Sequence, residues 1–450
     1  MLQDAHGLAL STTSPETVRA FDHTLTGYLK YRADAPQRLG ALIKLEPEFG
    51  MSHVLKGYFM MLGFKEALVD AARESEAAAG KLAGAMNGRE RAHLSTLRHW
   101  IAGDLERALR NWEEILVMQP HDVLAFRLHH FVAFWFGKPD LMVRTVETVL
   151  PHWREDLPGF GSMLACRAFA HEETGSYTVA EAAGRAAIDL DPGDVWAAHA
   201  VAHVLEMQGR RGEGIAWLTG LEPNWAGANN LKHHLWWHRA LYHLERGEHD
   251  EVLALYDKGF RDHSSPLTQA QPDLYIDVQN AASMLYRLVR QGVDVGARWE
   301  ELADQAEKRF GDCLNPFTLP HWMMALTGAG RWDKAEAMLE AMRGVAGRNS
   351  GTVPPLVRNY ALPICEAVLA NARGEPARAV ALMAPTIAGM YQLGGSHAQQ
   401  DVLEQVFLDA ALKAKHTEAV RLLLERVAGR HPVSPERRVG YRAAALAVRH

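Results

Sequence analysis

Cysteine is scarce: Cys166, Cys313 and Cys365 are the only three in 450 residues. They stand far apart and form no CxxC pair, so neither a disulfide framework nor a thiolate zinc site is expected, and a reducing cytoplasm suits the chain best. Nowhere do roughly 18 uncharged apolar residues follow one another, as a membrane-spanning helix requires. Asp4 and His6 precede any apolar run at the start. The expectation is a soluble chain without a signal peptide and without a membrane partner. An excess of positive charge is missing too: 48 Lys+Arg face 54 Asp+Glu, a formal charge of -6. No basic stripe emerges that could neutralise a run of phosphates, so nucleic acid is not an expected partner. The common catalytic templates are absent as well. There is no G-x-S-x-G elbow, no P-loop and no dinucleotide glycine fingerprint after a strand, so no nucleotide cofactor is expected. The Gly394-Gly395 pair ahead of Ser396 and His397 reads as a helix N-terminal turn rather than a phosphate loop.

What the chain does have is apolar material and a helical rhythm. With 48% hydrophobic and 23% charged residues it can bury a large core. Apolar residues recur at i, i+3, i+4 and i+7, as in Ala108-Leu-Arg-Asn-Trp-Glu-Glu-Ile-Leu-Val, and strand-like alternation is rare. Gly103, Gly137, Gly175, Gly209 and Gly247 are separated by 34, 38, 34 and 38 residues, which brackets the 34-residue tetratricopeptide period. A helical hairpin of that length is too thin to bury its own apolar face, so hairpins must stack. The fold class predicted is all-α, a tetratricopeptide-like helical-hairpin solenoid with a right-handed superhelix. Residues 1–450 are expected to form one solenoid domain, with regular units at about 88–258 and irregular hairpins on either side. Ser14-Pro15-Glu16 predicts a helix from about residue 15, and Gly344 to Pro355 reads as a long exposed loop.

Several longer motifs carry a resemblance. Ser11-Thr-Thr-Ser, Phe21-Asp-His-Thr-Leu-Thr, His199-Ala-Val-Ala-His203-Val-Leu-Glu206-Met and Trp237-His238-Arg-Ala-Leu-Tyr are followed by Ser283-Met-Leu-Tyr-Arg-Leu, Gly292-Val-Asp-Val-Gly-Ala-Arg-Trp299 and Gly394-Gly-Ser-His-Ala-Gln-Gln-Asp401-Val. Over nearly its whole length the chain resembles the tetratricopeptide repeat protein 38 family. The resemblance implies the helical-repeat fold and no particular reaction. It also implies that His53, His93, His130, His199, His203, His234, His238, His321 and Glu173 occupy histidine and glutamate positions of the family pattern. The chain departs from that pattern at Phe131, Leu235 and Asn280, which stand where Asp, Asn and Asp are expected.

The 23 histidines and 12 tryptophans are not scattered evenly. His199, His203 and Glu206 are spaced by four and three residues, which places them on one helical face. They stand 10, 6 and 3 residues before Gly209, positions that look into the concave groove of tetratricopeptide units. In the next unit His234 and Trp237 stand 13 and 10 residues before Gly247, with His238 one turn after His234. Side-by-side first helices would bring the two histidine sets together. Glu173, 2 before Gly175, and His93, 10 before Gly103, extend this polar wall. His243 and the tryptophans Trp112, Trp135, Trp217 and Trp225 read as packing residues. Gln399, Gln400 and Asp401 would face the same groove only if the superhelix closed on itself.

Two functional classes follow. In the first, the chain binds a small molecule or is a hydrolase- or lyase-type enzyme, with His199, His203, Glu206, His234 and His238 as acid–base groups. His53, His93, His130, Glu173, Trp237 and His321 would then contact the substrate. A divalent metal on His199, His203, His234 and His238 is left open, as is self-association; HxxxH also arises by chance in a histidine-rich chain, with the rings simply hydrogen-bonded in the core. In the second class the solenoid is a scaffold that grips a partner protein or peptide. A clamp for a peptide carboxylate is disfavoured, because no Lys or Arg occupies the expected groove positions before Gly103, Gly175, Gly209 or Gly247.

Overall fold

The computed structural model describes residues 1–448. Helices follow one another along the whole described chain, and the one sheet among those residues is the two-stranded antiparallel pair Leu2–Gln3 and Ala9–Leu10. Pro15–Leu29 begins where Ser14 caps it, accepting a hydrogen bond from the Thr17 amide at 3.1 Å. Paired helices then repeat: Gly88–Ile101 with Leu105–Met118, Val123–Trp135 with Pro139–Val149, Phe160–Glu173 with Tyr177–Leu190, and Val195–Met207 with Arg211–Leu221. The first of these carries a complete capping box, in which Asn87 and Glu90 exchange side chain-to-backbone hydrogen bonds at 3.0 Å. Its partner buries Leu105, Ala108, Leu109, Trp112, Ile115 and Leu116, the stripe that the i, i+3, i+4 spacing predicts.

Between the helices of each pair the chain turns on a glycine. Gly103, Gly137, Gly175, Gly209 and Gly247 all adopt positive φ, from 63° to 80°. A side chain there would meet the following carbonyl, so glycine is the residue that ends one helix and admits the next within three residues. The architecture is therefore all-α, built of tetratricopeptide-like helical hairpins.

The chain forms two compact units, one of residues 1–201 with 221–231, the other of residues 202–220 with Lys232 onward. The chain passes between them within the helix Val195–Met207. In the first unit each hairpin packs on its sequence neighbour, from Pro15–Leu29 to Tyr177–Leu190. The second unit contains Leu231–Glu245, Tyr275–Arg290, Leu319–Gly328, Leu362–Ala372 and His397–Lys413 with the helices that follow each. Here the stack returns on itself, and Tyr275–Arg290 packs directly against His397–Lys413. Gln399 donates to Gln279 at 3.1 Å, and Arg287 donates to the Ala398 carbonyl at 2.9 Å. Gly394 and Gly395 form the tight turn into His397–Lys413, whose capping box is Ser396 with Gln399.

Two expectations are corrected. The loop expected over Gly344 to Pro355 shrinks to residues 347–352, because Trp332–Ala346 runs on through Gly344 and the next helix opens at Val353 with prolines in its first turn. His243 is half-buried rather than core, and its Nδ1 meets the Glu248 carboxylate at 2.6 Å. No disulfide joins the three cysteines, which are all buried. No helix among the described residues is long and apolar enough to cross a membrane.

Candidate functional site

The expected site residues fall into both units. In the first, His53 is half-buried and its Nε2 bonds the Pro47 carbonyl at 2.8 Å. His93 is fully buried: its Nε2 lies 3.0 Å from the Asp122 carboxylate, to which Arg89 also donates, and the Tyr58 hydroxyl lies 3.3 Å from Nδ1. These neighbours hold Asp122 well below the usual carboxylate range. His130 packs among Phe126, Phe169 and Trp196, and burial drives its pKa down. Glu173 is buried at the end of Phe160–Glu173. His199 stacks on Trp196, ring centroids 4.7 Å apart, and packs against Phe169. His130 and His199 thus share Phe169 and Trp196, whereas His53 and His93 are held by other partners.

The second unit gathers its set more closely. His203 and Glu206 come from the C-terminal half of Val195–Met207, and His234, Trp237 and His238 from Leu231–Glu245. The His203 and His238 ring centroids are 4.3 Å apart, and those of His234 and His238 4.7 Å. His238 Nδ1 is hydrogen-bonded to Glu206 Oε2 at 2.9 Å, and His234 Nδ1 to Asn280 Oδ1 at 2.7 Å. Trp237 stacks on His234 at 5.0 Å, and the Arg287 guanidinium sits 5.9 Å from the Trp237 ring. Burial pushes the pKa of His234 down to about 4 and lowers that of His203 well below the usual imidazole range. Glu206 is pushed up to about 8, by burial first, with Asp401 and Glu245 acting in the same direction against Arg287 and Arg438. His321 is in this unit too, its Nδ1 3.0 Å from the Phe317 carbonyl and its pKa lowered by burial to about 3.

Glu206 also lines a cavity of about 40 Å³, bounded further by Glu245, Arg287, Asp401, Gln405 and Arg438. That exceeds the roughly 10–15 Å³ needed for one water. Asp401 is the hub of its wall. It accepts from Arg438 at 2.5 Å, the Tyr441 hydroxyl at 2.6 Å, Gln405 at 2.7 Å and Arg287 at 3.2 Å. The segment His431–Tyr441 packs over the cavity: Val439 donates to Glu245 at 3.2 Å, and Arg211 donates to the Arg437 carbonyl at 3.0 Å. Asp401 is expected from sequence to face the groove only if the superhelix closes; within this unit the packing of Tyr275–Arg290 on His397–Lys413 brings it to Arg287. Arg287, Arg438 and Tyr441 were missed. Arg287 lies in the Ser283-Met-Leu-Tyr-Arg-Leu motif, whereas Arg438 and Tyr441 carry no local signal.

No family model matches the chain. Among solved structures it is similar to yeast Tom70, at 13% identity over 96% of this chain and 88% of that one, TM-score 0.38. A human IFIT1 dimer with m7Gppp-AAAA matches at 14% identity over 98% and 96% of the two chains, TM-score 0.43. The TPR domain of P58(IPK) matches at 11% identity over 90% and 99%, TM-score 0.20. The architecture therefore rests on the chain's own hairpins and glycine turns.

Proposed function

We propose that the chain is a small-molecule-binding protein or an enzyme of hydrolase or lyase type, with its site inside the second unit. The observation that carries this reading is the Glu206–His238 hydrogen bond at the wall of a charged cavity. A carboxylate and an imidazole sharing one hydrogen bond are the pair that general acid–base transfer uses. Glu206 and His238 are the catalytic candidates, and Arg287, Asp401 and Arg438 the groups that would face the ligand. The cavity's size and charged lining favour a small polar molecule. An extended peptide is disfavoured there, because His431–Tyr441 already packs over the cavity. His199 and His203 retain a proposed supporting role, and we infer membership of the tetratricopeptide repeat protein 38 family from the motifs. The proposal keeps the expectations of one solenoid over residues 1–450 and of a cytoplasmic location.

The helical-repeat architecture itself favours a second reading, a scaffold for a partner protein or peptide. A thermal-shift panel of amino acids, dipeptides, hydroxy acids and sugar phosphates separates the two. The first reading predicts that at least one compound raises the Tm of the wild type in a concentration-dependent way and does so less in Glu206→Gln. A silent panel, together with a stoichiometric protein partner recovered on the wild type and lost in Glu206→Gln, supports the scaffold.

A further inference from the structure

Three imidazoles of the second unit meet in its core. His203, His234 and His238 each bring one ring nitrogen within 4.8 Å of the others. They are 0–2% exposed, so bulk water does not solvate them. Rings packed this closely inside a protein need an arrangement of protons or a cation to reconcile their lone pairs.

The Nδ1 atoms of His234 and His238 are engaged by Asn280 Oδ1 at 2.7 Å and Glu206 Oε2 at 2.9 Å, which holds both rings from that side. With Nδ1 engaged, Nε2 is the atom of each ring through which an ion would be held. An acceptor behind Nδ1 that fixes tautomer and ring orientation is the usual support of a metal-binding histidine.

We propose that His203, His234 and His238 bind one divalent transition metal ion, with zinc as its type. All-imidazole donor sets select borderline metals, whereas Mg²⁺ and Ca²⁺ require oxygen ligands. Glu206 and Asn280 are positioning residues that act through the rings. Three protein ligands leave a further coordination position, the arrangement that zinc uses when it binds a water or a substrate. His199, one turn earlier on the helix of His203, is the remaining imidazole of the set expected from sequence. The inference deepens the proposed function by placing an ion behind Glu206, yet its test does not require a substrate.

The test uses the full chain, untagged, stripped with chelator and titrated with zinc chloride, reading stoichiometry by elemental mass spectrometry and affinity by calorimetry. The wild type is expected to bind one zinc per chain. His234→Ala/His238→Ala is expected to retain less than about a tenth of it, and Asn280→Leu to bind about 10- to 100-fold more weakly. Circular dichroism establishes that the variants are folded. Should the double variant not fold, cobalt(II) added to the stripped wild type decides: histidine coordination gives visible absorption that zinc displaces. No zinc uptake by the wild type, equal uptake by a folded double variant, or no cobalt spectrum would overturn the metal site. Metabolite-induced stabilisation that survives in metal-free protein would leave the proposed function standing while the metal site falls. Zinc binding with a silent metabolite panel would do the reverse.

Discussion

Asp401 shows what one residue contributes to this interior. Its carboxylate receives Arg438, Tyr441, Gln405 and Arg287, and the two guanidiniums hold it well below the usual carboxylate range. The Arg287 side chain is 2% exposed and that of Asp401 11%, so removing the acid leaves cations with little solvent. Asp401→Asn is expected to destabilise the protein by about 3–5 kcal/mol, read by urea unfolding at neutral pH. The depressed pKa also fixes a pH dependence. The native state releases this proton more readily than the unfolded chain, whose carboxyl titrates near roughly pH 4. Its stabilisation is therefore complete above that pH and is lost as the pH falls toward the folded value. The wild type should lose stability on acidification below about pH 4 more steeply than Asp401→Asn. An identical acid limb in the two proteins would contradict this assignment. Asn280 carries a related lesson. The family resemblance implies an Asp at this position, but the Asn280 amide oxygen still pairs with His234 Nδ1.

Helices and turns were the most legible level. A positive-φ glycine closes each predicted pair because the i, i+3, i+4 stripes on both flanking helices must turn back onto one core. Gly103→Ala tests this in isolation, since a Cβ there meets no atom beyond its own chain neighbours within 4 Å and the strain is confined to the backbone. The substitution is expected to cost about 1–2 kcal/mol in thermal or denaturant unfolding. Gly40→Ala lies within the helix Ala35–Leu45, also with no atom within 4 Å of a Cβ. It should be neutral or stabilising by up to about 1 kcal/mol. What the sequence could not show was contact between residues far apart in the chain. Asp401 and Arg438 are joined across 37 residues, and Arg287 and Asp401 across 114. Helical periodicity gives faces but not crossing angles, so the return of His397–Lys413 onto Tyr275–Arg290 had no local signature. The π-helical stretches Tyr256–Phe260 and Val357–Ala361 likewise escaped a reading based on a fixed helical period.

At the scale of the whole molecule, two compact units share the helix Val195–Met207. Because that helix contributes residues to both units, calorimetry of the full chain is expected to show one cooperative transition; two well-separated transitions would contradict a single solenoid domain. Function was less legible than fold. The spacing predicts that His203, Glu206, His234 and His238 lie close together, as their ring and hydrogen-bond distances show, whereas the charged cavity lined by Glu206 depends on Arg287, Asp401 and Arg438 brought in by tertiary folding. The central claim is that this interior binds a ligand or ion and is not merely packed. Native mass spectrometry of the full chain, purified without tag or chelator and then exposed to excess zinc, tests it most directly. The account predicts a defined mass increment of one metal or one small molecule per chain, absent from folded His234→Ala/His238→Ala for the metal and reduced in Glu206→Gln for a small molecule. The bare-chain mass in every preparation, unchanged by zinc, would contradict it.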